Sequence, residues 1–418
     1  MAGRTVINIL SVISELNFGG GENRLLNLAR SIDSNRFRLS VVTLYSPPVA
    51  AANRRGTLRG QFAAAGVKVQ ELNLPHPSNV QGLRPIKLAN TAGTLATAIA
   101  KLRQLIVATR ADAVDAHLET ALYTAVLAAA SAGIPAAVTL YSELDLWRIF
   151  DSKSYRRVFF PAIRRFNLRL CSAIFTDSRA RALDLEQFIG ESSPPIHVVP
   201  NGVRLDKPSR SRAEVLREFG IPAETRATII GQVAGLVPFK GAAVLLSAAR
   251  RAVAEGHDLY VLCVGDARIG PAYPLQLRRQ AEELGISDRV RIQGYPGNIA
   301  DVWSVIDVHV HASSIDSLPN AIIEGMSLGK PAVVSSVGAI PEHVDHGRTG
   351  LVIPPDDPAA AAESLLRLLR DRDYAARLGA GAYRRYLERF TPEITARAIE
   401  ACLESMIDAH RSRRAVAR

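Results

Sequence analysis

Two carboxylates open the chemical reading of this chain. Asp316 and Glu324 stand with seven residues between them in DSLPNAIIEGMSLGKPAV. A carboxylate accepts two strong hydrogen bonds from neighbouring hydroxyls, which suits a polyhydroxylated ligand. The start of the helix predicted at AIIEGMSLG favours a phosphate. One loop-helix unit can therefore hold a sugar and its phosphate together, the competing reading being ordinary surface charge. Lys240 in GQVAGLVPFKG adds an ammonium at a helix start, where an anion could lie. The segment lacks the GK[ST] of a P-loop, which argues against nucleoside triphosphate hydrolysis. Gly19, Gly20 and Gly21 in NFGGGENRLLNLAR fall where a strand turns into a helix, either as a tight turn or as amides open to an anion. They do not form GxGxxG, so dinucleotide binding is disfavoured. His117, in DAVDAHLET, follows a predicted strand end, and His309 and His311 alternate along DVHVHASS so as to share one face. A metal at that pair would need a third ligand that the sequence does not supply, so packing or local hydrogen bonding is the reading.

These groups need elements to position them. TVINILSVI, FRLSVVTLY, VKVQEL, ADAVDA, PAAVTLY, SAIFTD and PIHVVP read as strands, with Ala- and Leu-rich helical stretches between most of them. The rhythm pauses in the polar NGVRLDKPSRSRAEVLREFGIP, then restarts with ATIIGQVAG, LYVLCVG, RVRIQG, DVHVHA, PAVVSS and GLVIPP. Near-continuous Val/Ile/Leu runs mark buried parallel strands, so the fold class expected is α/β, with two Rossmann-like parallel-sheet domains facing across a cleft. The boundaries expected are 1–204 and 205–385, with a C-terminal helix, 386–418, packing back on the first domain. Open α/β sheets bind ligands beyond the carboxyl ends of their strands, where the motif residues fall.

The chain of 418 residues is 48% hydrophobic and 22% charged, a globular composition long enough for two cores. No apolar run approaches the roughly 20 residues of a membrane span, and MAGRTVINILSVIS reads as a first strand, with no clear cleavage site. Cys171, Cys263 and Cys402 are three and widely spaced, which excludes a disulfide framework and a structural zinc site and fits a reducing cytoplasm. The formal charge of +11 suits phosphates, nucleic acid or an anionic membrane. No nucleic-acid recognition motif accompanies it. In KSYRRVFFPAIRRFNLRL, basic residues interleave with aromatics as in an interfacial helix, or as in a helix that packs its aromatics inward; Pro161 is expected to interrupt it.

DSLPNAIIEGMSLGKPAVVSS, GAIPEHVDHGRTGLVIPP, HVVPNGV and the GGGEN loop together resemble, over nearly the whole chain, the retaining glycosyltransferases of family 4, which have the two-domain GT-B fold. The resemblance implies that Glu324 holds the donor ribose, that Lys240 binds phosphate, and that Asp316, one methylene shorter than the family's Glu, meets the donor sugar near its reactive carbon. It implies a donor site completed by Gly20, Gly21, Leu318, Pro319 and Asn320, and a catalytic set of Asp316, Lys240, His117 and Tyr141. Besides Asp316, two positions depart from the pattern. The family's Arg before the Lys is Gly235, and its His at the end of PAAVTLY is Tyr141, which offers a hydroxyl but no cation. The function implied is transfer of a sugar from a nucleotide diphosphate sugar to a glycan or lipid-linked acceptor, in polysaccharide or glycolipid synthesis. No metal or other cofactor is expected, since no Asp-x-Asp pair stands at a strand end, and the setting implied is the cytoplasm or the inner face of the plasma membrane. The departures keep open a non-catalytic GT-B binding or scaffold protein. A sugar-nucleotide epimerase would need an acid and histidine set that the sequence lacks.

Overall fold

A computed structural model describes residues 6–16, 19–45, 58–75, 84–140, 154–267, 272–295 and 297–416, without the side chains of 84–92 and 154–160. The chain divides into two compact units, Val203–Thr391 and Met1–Gly202 together with Pro392–Arg418. The first unit holds a seven-stranded sheet in the order β3-β2-β1-β4-β5-β6-β7. Its strands are β1 (Ile7–Ile13), β2 (Phe37–Thr43), β3 (Lys68–Glu71), β4 (Ala113–His117), β5 (Ala136–Thr139), β6 (Ala173–Thr176) and β7 (Ile196–Val198). The second unit holds a six-stranded sheet, β10-β9-β8-β11-β12-β13. There the strands are β8 (Thr228–Val233), β9 (Leu259–Val264), β10 (Val290–Gln293), β11 (Val308–His311), β12 (Ala332–Ser335) and β13 (Leu351–Ile353). Every neighbouring pair is parallel.

Burial on both faces explains why these strands carry apolar runs rather than alternation. In β1, Leu10 and Val12 enter one cluster with Leu102 and Leu122, while Ile9 and Ile13 enter the opposite one with Leu25 and Leu403. Likewise Val261 and Cys263 of β9 face one core of the second unit, and Leu262 and Val264 face the other. The last helix, Pro392–Val416, belongs to the first unit: Ile399, Leu403, Met406 and Ile407 pack with Leu25 and Leu28, and Arg36 bonds Glu404 at 2.5 Å.

One local expectation is overturned. The helix Ser154–Leu170 runs through Pro161 without a break. A proline removes one backbone donor and tends to kink a helix, but it need not end one whose later turn is anchored. Here Leu168 sits in the core, Arg164 pairs with Glu119 at 2.6 Å, and Arg165 and Arg169 donate to the carbonyls of Phe188 and Ile189.

Each sheet reverses its winding once. In the first, β1 lies between β2 and β4, so the loops after β1 and β4 leave in opposite directions and open a crevice. In the second, β8 lies between β9 and β11, and the loops after β8 and β11 do the same. The Gly19–Gly21 triplet and His117 flank the first switch point; Lys240 and Asp316 flank the second.

Candidate functional site

The second switch point carries a dense set of polar side chains. After β8 a short 3-10 turn, Pro238–Lys240, leads through Gly241 into the helix Ala242–Ala254. Gly241 has φ +78°, and a Cβ there would stand 1.9 Å from the carbonyl oxygen of Ala312, so glycine is required for this turn to lie against the end of β11. Ser314 N–H adds a hydrogen bond to the Phe239 carbonyl at 2.9 Å. Gly338, φ +51°, meets the Asp316 carbonyl, 2.0 Å from where a Cβ would be. The segment from Ala312 to Asp316 is thus braced at two points.

Within that brace Lys240 Nζ lies 2.6 Å from Asp316 Oδ2, and His311 Nε2 lies 2.8 Å from the same oxygen. The second oxygen, Oδ1, accepts from Ser317 N–H at 3.2 Å. Burial alone would raise this carboxyl, but the His311 hydrogen bond and the Lys240 charge outweigh it and hold it at about 2. An ionised carboxylate only accepts, so His311 Nε2 carries the shared proton. Leu318 is turned into the core with Ile322 and Ile340, leaving only its backbone to a ligand, and Pro319 caps the helix that Asn320 begins.

Glu324, half-buried on the helix Asn320–Ser327, accepts from the Trp303 indole N–H at 2.8 Å. Burial pushes its carboxyl up from 4.5 to about 7, against the pull of that hydrogen bond. Trp303 meets His309 edge-on with ring centres 4.9 Å apart, and His309 stands 5.9 Å from His311. A row of rings therefore links the two carboxylates of the motif. His309 itself is fully buried, and desolvation lowers its pKa well below the usual value, so it sits there neutral.

At the first switch point His117 closes β4 and is buried, its Nε2 2.9 Å from Asp115 Oδ2, whose other oxygen accepts from Thr139 Oγ1 at 3.3 Å. Leu118 follows with φ +67°, a left-handed conformation costly for a residue with a side chain. Its side chain packs 3.0 Å from where a Cβ on Gly21 would stand, so Gly21 has a packing reason to be glycine. Gly20 is exposed, and the Glu22 carboxylate occupies the space beside Gly19. An acidic group there complements the start of the helix Gly20–Ser31. Tyr141 lies outside the described residues.

Two family models match the chain, one for Glycosyltransferase Family 4 over residues 18–207 and one for group 1 glycosyl transferases over residues 227–371. The chain belongs to the family 4 glycosyltransferases. Among known relatives, the D-inositol 3-phosphate glycosyltransferase of Thermobispora bispora is 34% identical over 232 residues, 53% of each chain. The chain spans about half the length of such inositol-phosphate relatives. The 2-deoxystreptamine glucosyltransferase of Streptomyces kanamyceticus is 27% identical over 361 residues, 83% of this chain and 89% of its own. In fold, Anabaena HepE, solved with UDP and glucose, matches with a TM-score of 0.75 at 22% identity, covering 96% of this chain and all of its own. Sucrose-phosphate synthase from Thermosynechococcus elongatus matches with a TM-score of 0.76 at 17% identity over the same shares. At these identities the likeness is one of fold, and that fold is GT-B.

Family membership sharpens what the geometry adds. At Gly235, where the family pattern has Arg, a Cβ would stand 3.8 Å from the Asp266 carbonyl oxygen, so the backbone there does not itself demand glycine. Two residues that the structure joins to the motif, His311 and Trp303, were not tied to it by sequence reasoning, nor was Asp115 tied to His117 at the first switch point. Alternation along DVHVHASS placed His309 and His311 on one face, which is where they are. That alternation carried no sign that one of them reaches Asp316.

Proposed function

We propose that this protein is a retaining glycosyltransferase that moves a sugar from a nucleotide diphosphate sugar to an acceptor hydroxyl. The observation that carries the reading is the Lys240–Asp316–His311 cluster at the switch point of the second sheet. In the reaction the bond from the anomeric carbon to the diphosphate breaks, and its electron pair leaves with the phosphate. Lys240 and the N-terminus of the Asn320–Ser327 helix meet that charge, and no divalent cation is needed beside them. The acceptor oxygen bonds to the same face of the sugar carbon, and its proton passes to the departing phosphate oxygen, so no strong side-chain base is required. Asp316 orients the sugar hydroxyls and Glu324 the ribose. A panel of sugar nucleotides, read by release of nucleoside diphosphate, tests this, and UDP-glucose is the first donor to try because HepE was solved with UDP and glucose. The anomer of the product, read by NMR, tests retention; activity unchanged by EDTA tests the absence of a metal. Binding of donors without diphosphate release to any acceptor would favour a non-catalytic binder instead.

For the acceptor, one observation favours a lipid-linked or membrane-proximal glycan. Ile163, Phe166 and Leu170, at i, i+3 and i+7 on the helix Ser154–Leu170, are 49%, 57% and 38% exposed. The arginines beside them are less available than the sequence implied, since Arg164 is buried against Glu119 and Arg165 and Arg169 serve backbone carbonyls. Among the described residues no helix is long and apolar enough to cross a membrane, so contact would be peripheral, at the inner face of the plasma membrane. The names of two relatives favour small cyclitol acceptors instead. Co-sedimentation with phosphatidylglycerol liposomes, comparing the parent with Ile163→Ser/Phe166→Ser, separates the two: no binding by the parent at low salt leaves the soluble cyclitol.

A further inference from the structure

We infer that His311 is the positioning residue of Asp316 and thereby a determinant of how the donor sugar is held. The inference rests on the glycosyltransferase reading above and adds to it a residue outside the family motif. The family's acid at this place is a Glu; Asp316 is one methylene shorter and so has less reach and a different set of rotamers. A short acid on a loop needs something to fix it. Lys240 alone is a poor fixture, because the same ammonium is what a diphosphate would attract. Once a donor enters, Lys240 Nζ is shared with phosphate oxygens, and Asp316 Oδ2 loses part of its lysine partner. His311 stays. Its ring sits on the last residue of β11, 1% exposed, with the strand paired on both sides and Nε2 2.8 Å from Oδ2. Among the described residues its Nδ1 has no hydrogen-bond partner, so the ring's hydrogen bonding is directed to Asp316 through Nε2. Ser317 N–H holds Oδ1 from the other side, and Gly338 braces the loop backbone. Asp316 is thus held by three donors, and only one of them is drawn off by the diphosphate. The remaining lone pairs are what a sugar hydroxyl would meet.

The step predicts a division between the sugar and the nucleotide. Nucleoside diphosphate binding depends on Glu324 and Lys240 and should not sense His311; the extra affinity and turnover brought by the sugar should. Gln places its amide nitrogen about where His places Nε2 and can still donate, whereas Leu fills the space and cannot. The experiment compares the parent with His311→Gln, His311→Leu and, as a control for disturbing β11, His309→Leu. The probe pair is UDP-glucose and UDP, or, where the donor panel selects another sugar nucleotide, that donor and its own diphosphate. Calorimetry reads both affinities, and initial rates read kcat and KM. The expected result is that His311→Leu loses about tenfold to hundredfold in sugar-nucleotide affinity and kcat/KM, with diphosphate affinity within about twofold of the parent. His311→Gln recovers most of that loss, and His309→Leu shows no such division. If His311→Leu weakens diphosphate and sugar nucleotide equally, or if His311→Gln fails as badly as His311→Leu, the ring is a core residue and the inference is wrong. If the parent binds neither probe of any pair, the glycosyltransferase reading falls first and takes the inference with it.

Discussion

Replacing Glu324 by Gln separates what this residue contributes to folding from what it contributes to binding, because the two should change in opposite directions. In the ligand-free protein the Glu324 carboxyl is raised from 4.5 to about 7 by burial, with only the Trp303 indole opposing. The folded state therefore keeps a proton that the unfolded chain gives up. The native form is favoured fully below pH 4.5, and that advantage disappears as the pH rises to 7. The difference between 4.5 and about 7 corresponds to roughly 3 kcal/mol at pH 8, an upper limit because Glu324 is only half-buried and solvent relieves part of it. Gln keeps the shape, accepts from Trp303 through its carbonyl oxygen and never ionises. Glu324→Gln should thus stabilise the ligand-free protein by about 1–3 kcal/mol at pH 8 and by almost nothing at pH 4. For a unit of this size that is a rise in Tm of roughly 2–10 °C at the higher pH. Donor affinity should fall by about tenfold to a hundredfold, as a charged acceptor for ribose hydroxyls is lost. Thermal melts from pH 4 to 8, with and without UDP, read both effects. A Tm difference that does not depend on pH would mean that Glu324 is solvated or compensated in the native state. Unchanged UDP affinity would remove it from the donor site.

Lys240→Ala should lower kcat/KM by about a hundredfold, from the loss of a cation on the leaving phosphate; it should also reduce stability, since Asp316 keeps only His311 and Ser317 as donors. A drop in stability with full activity would make the Lys240–Asp316 pair structural. Gly235→Arg meets no clash at its Cβ, which would stand 3.8 Å from the Asp266 carbonyl oxygen, and should raise kcat/KM several-fold by restoring a second cation; a fall in rate with every donor would show that the longer side chain obstructs the substrate. Gly21→Ala should destabilise the first unit by about 1–3 kcal/mol through overpacking against Leu118, measured by denaturant unfolding. No loss would show that the Leu118 side chain moves aside and that packing does not require glycine here.

The parts of this molecule that were legible in the sequence are those where one physical rule acts alone. Parallel strands covered on both faces must be largely apolar along their length, so TIIGQV and LYVLCV announce themselves. Motif residues were legible because anions gather at strand ends and helix starts. What stayed hidden depends on several rules meeting. Pro161 is unfavourable in a helix locally, yet the packing of Leu168 and Arg164 outweighs it. DAVDA carries a buried acid in mid-strand, and Asp115 meets His117, two residues on, and Thr139 on the next strand, neither of which a local pattern shows. For Trp303 and Glu324, 21 residues apart on separate helices, no local pattern could announce the contact.

The glycines at the second switch point show why the site is hardest to read where it is most constrained. Gly241 and Gly338 bring backbone against backbone, Ala312 on one side and Asp316 on the other. A sequence shows the glycine but not its neighbour, because a close approach is a relation between two segments and leaves a mark on only one of them. The same brace fixes Asp316 between Lys240 and His311, so a carboxylate with the reach of a surface residue is held as firmly as a core one. A shorter acid in a tighter cradle can do the work of a longer one in a looser one. Under the proposed function, family position points to Asp316 as the residue offered to the sugar, while the residues that aim it, Lys240 and His311, must be taken from the fold.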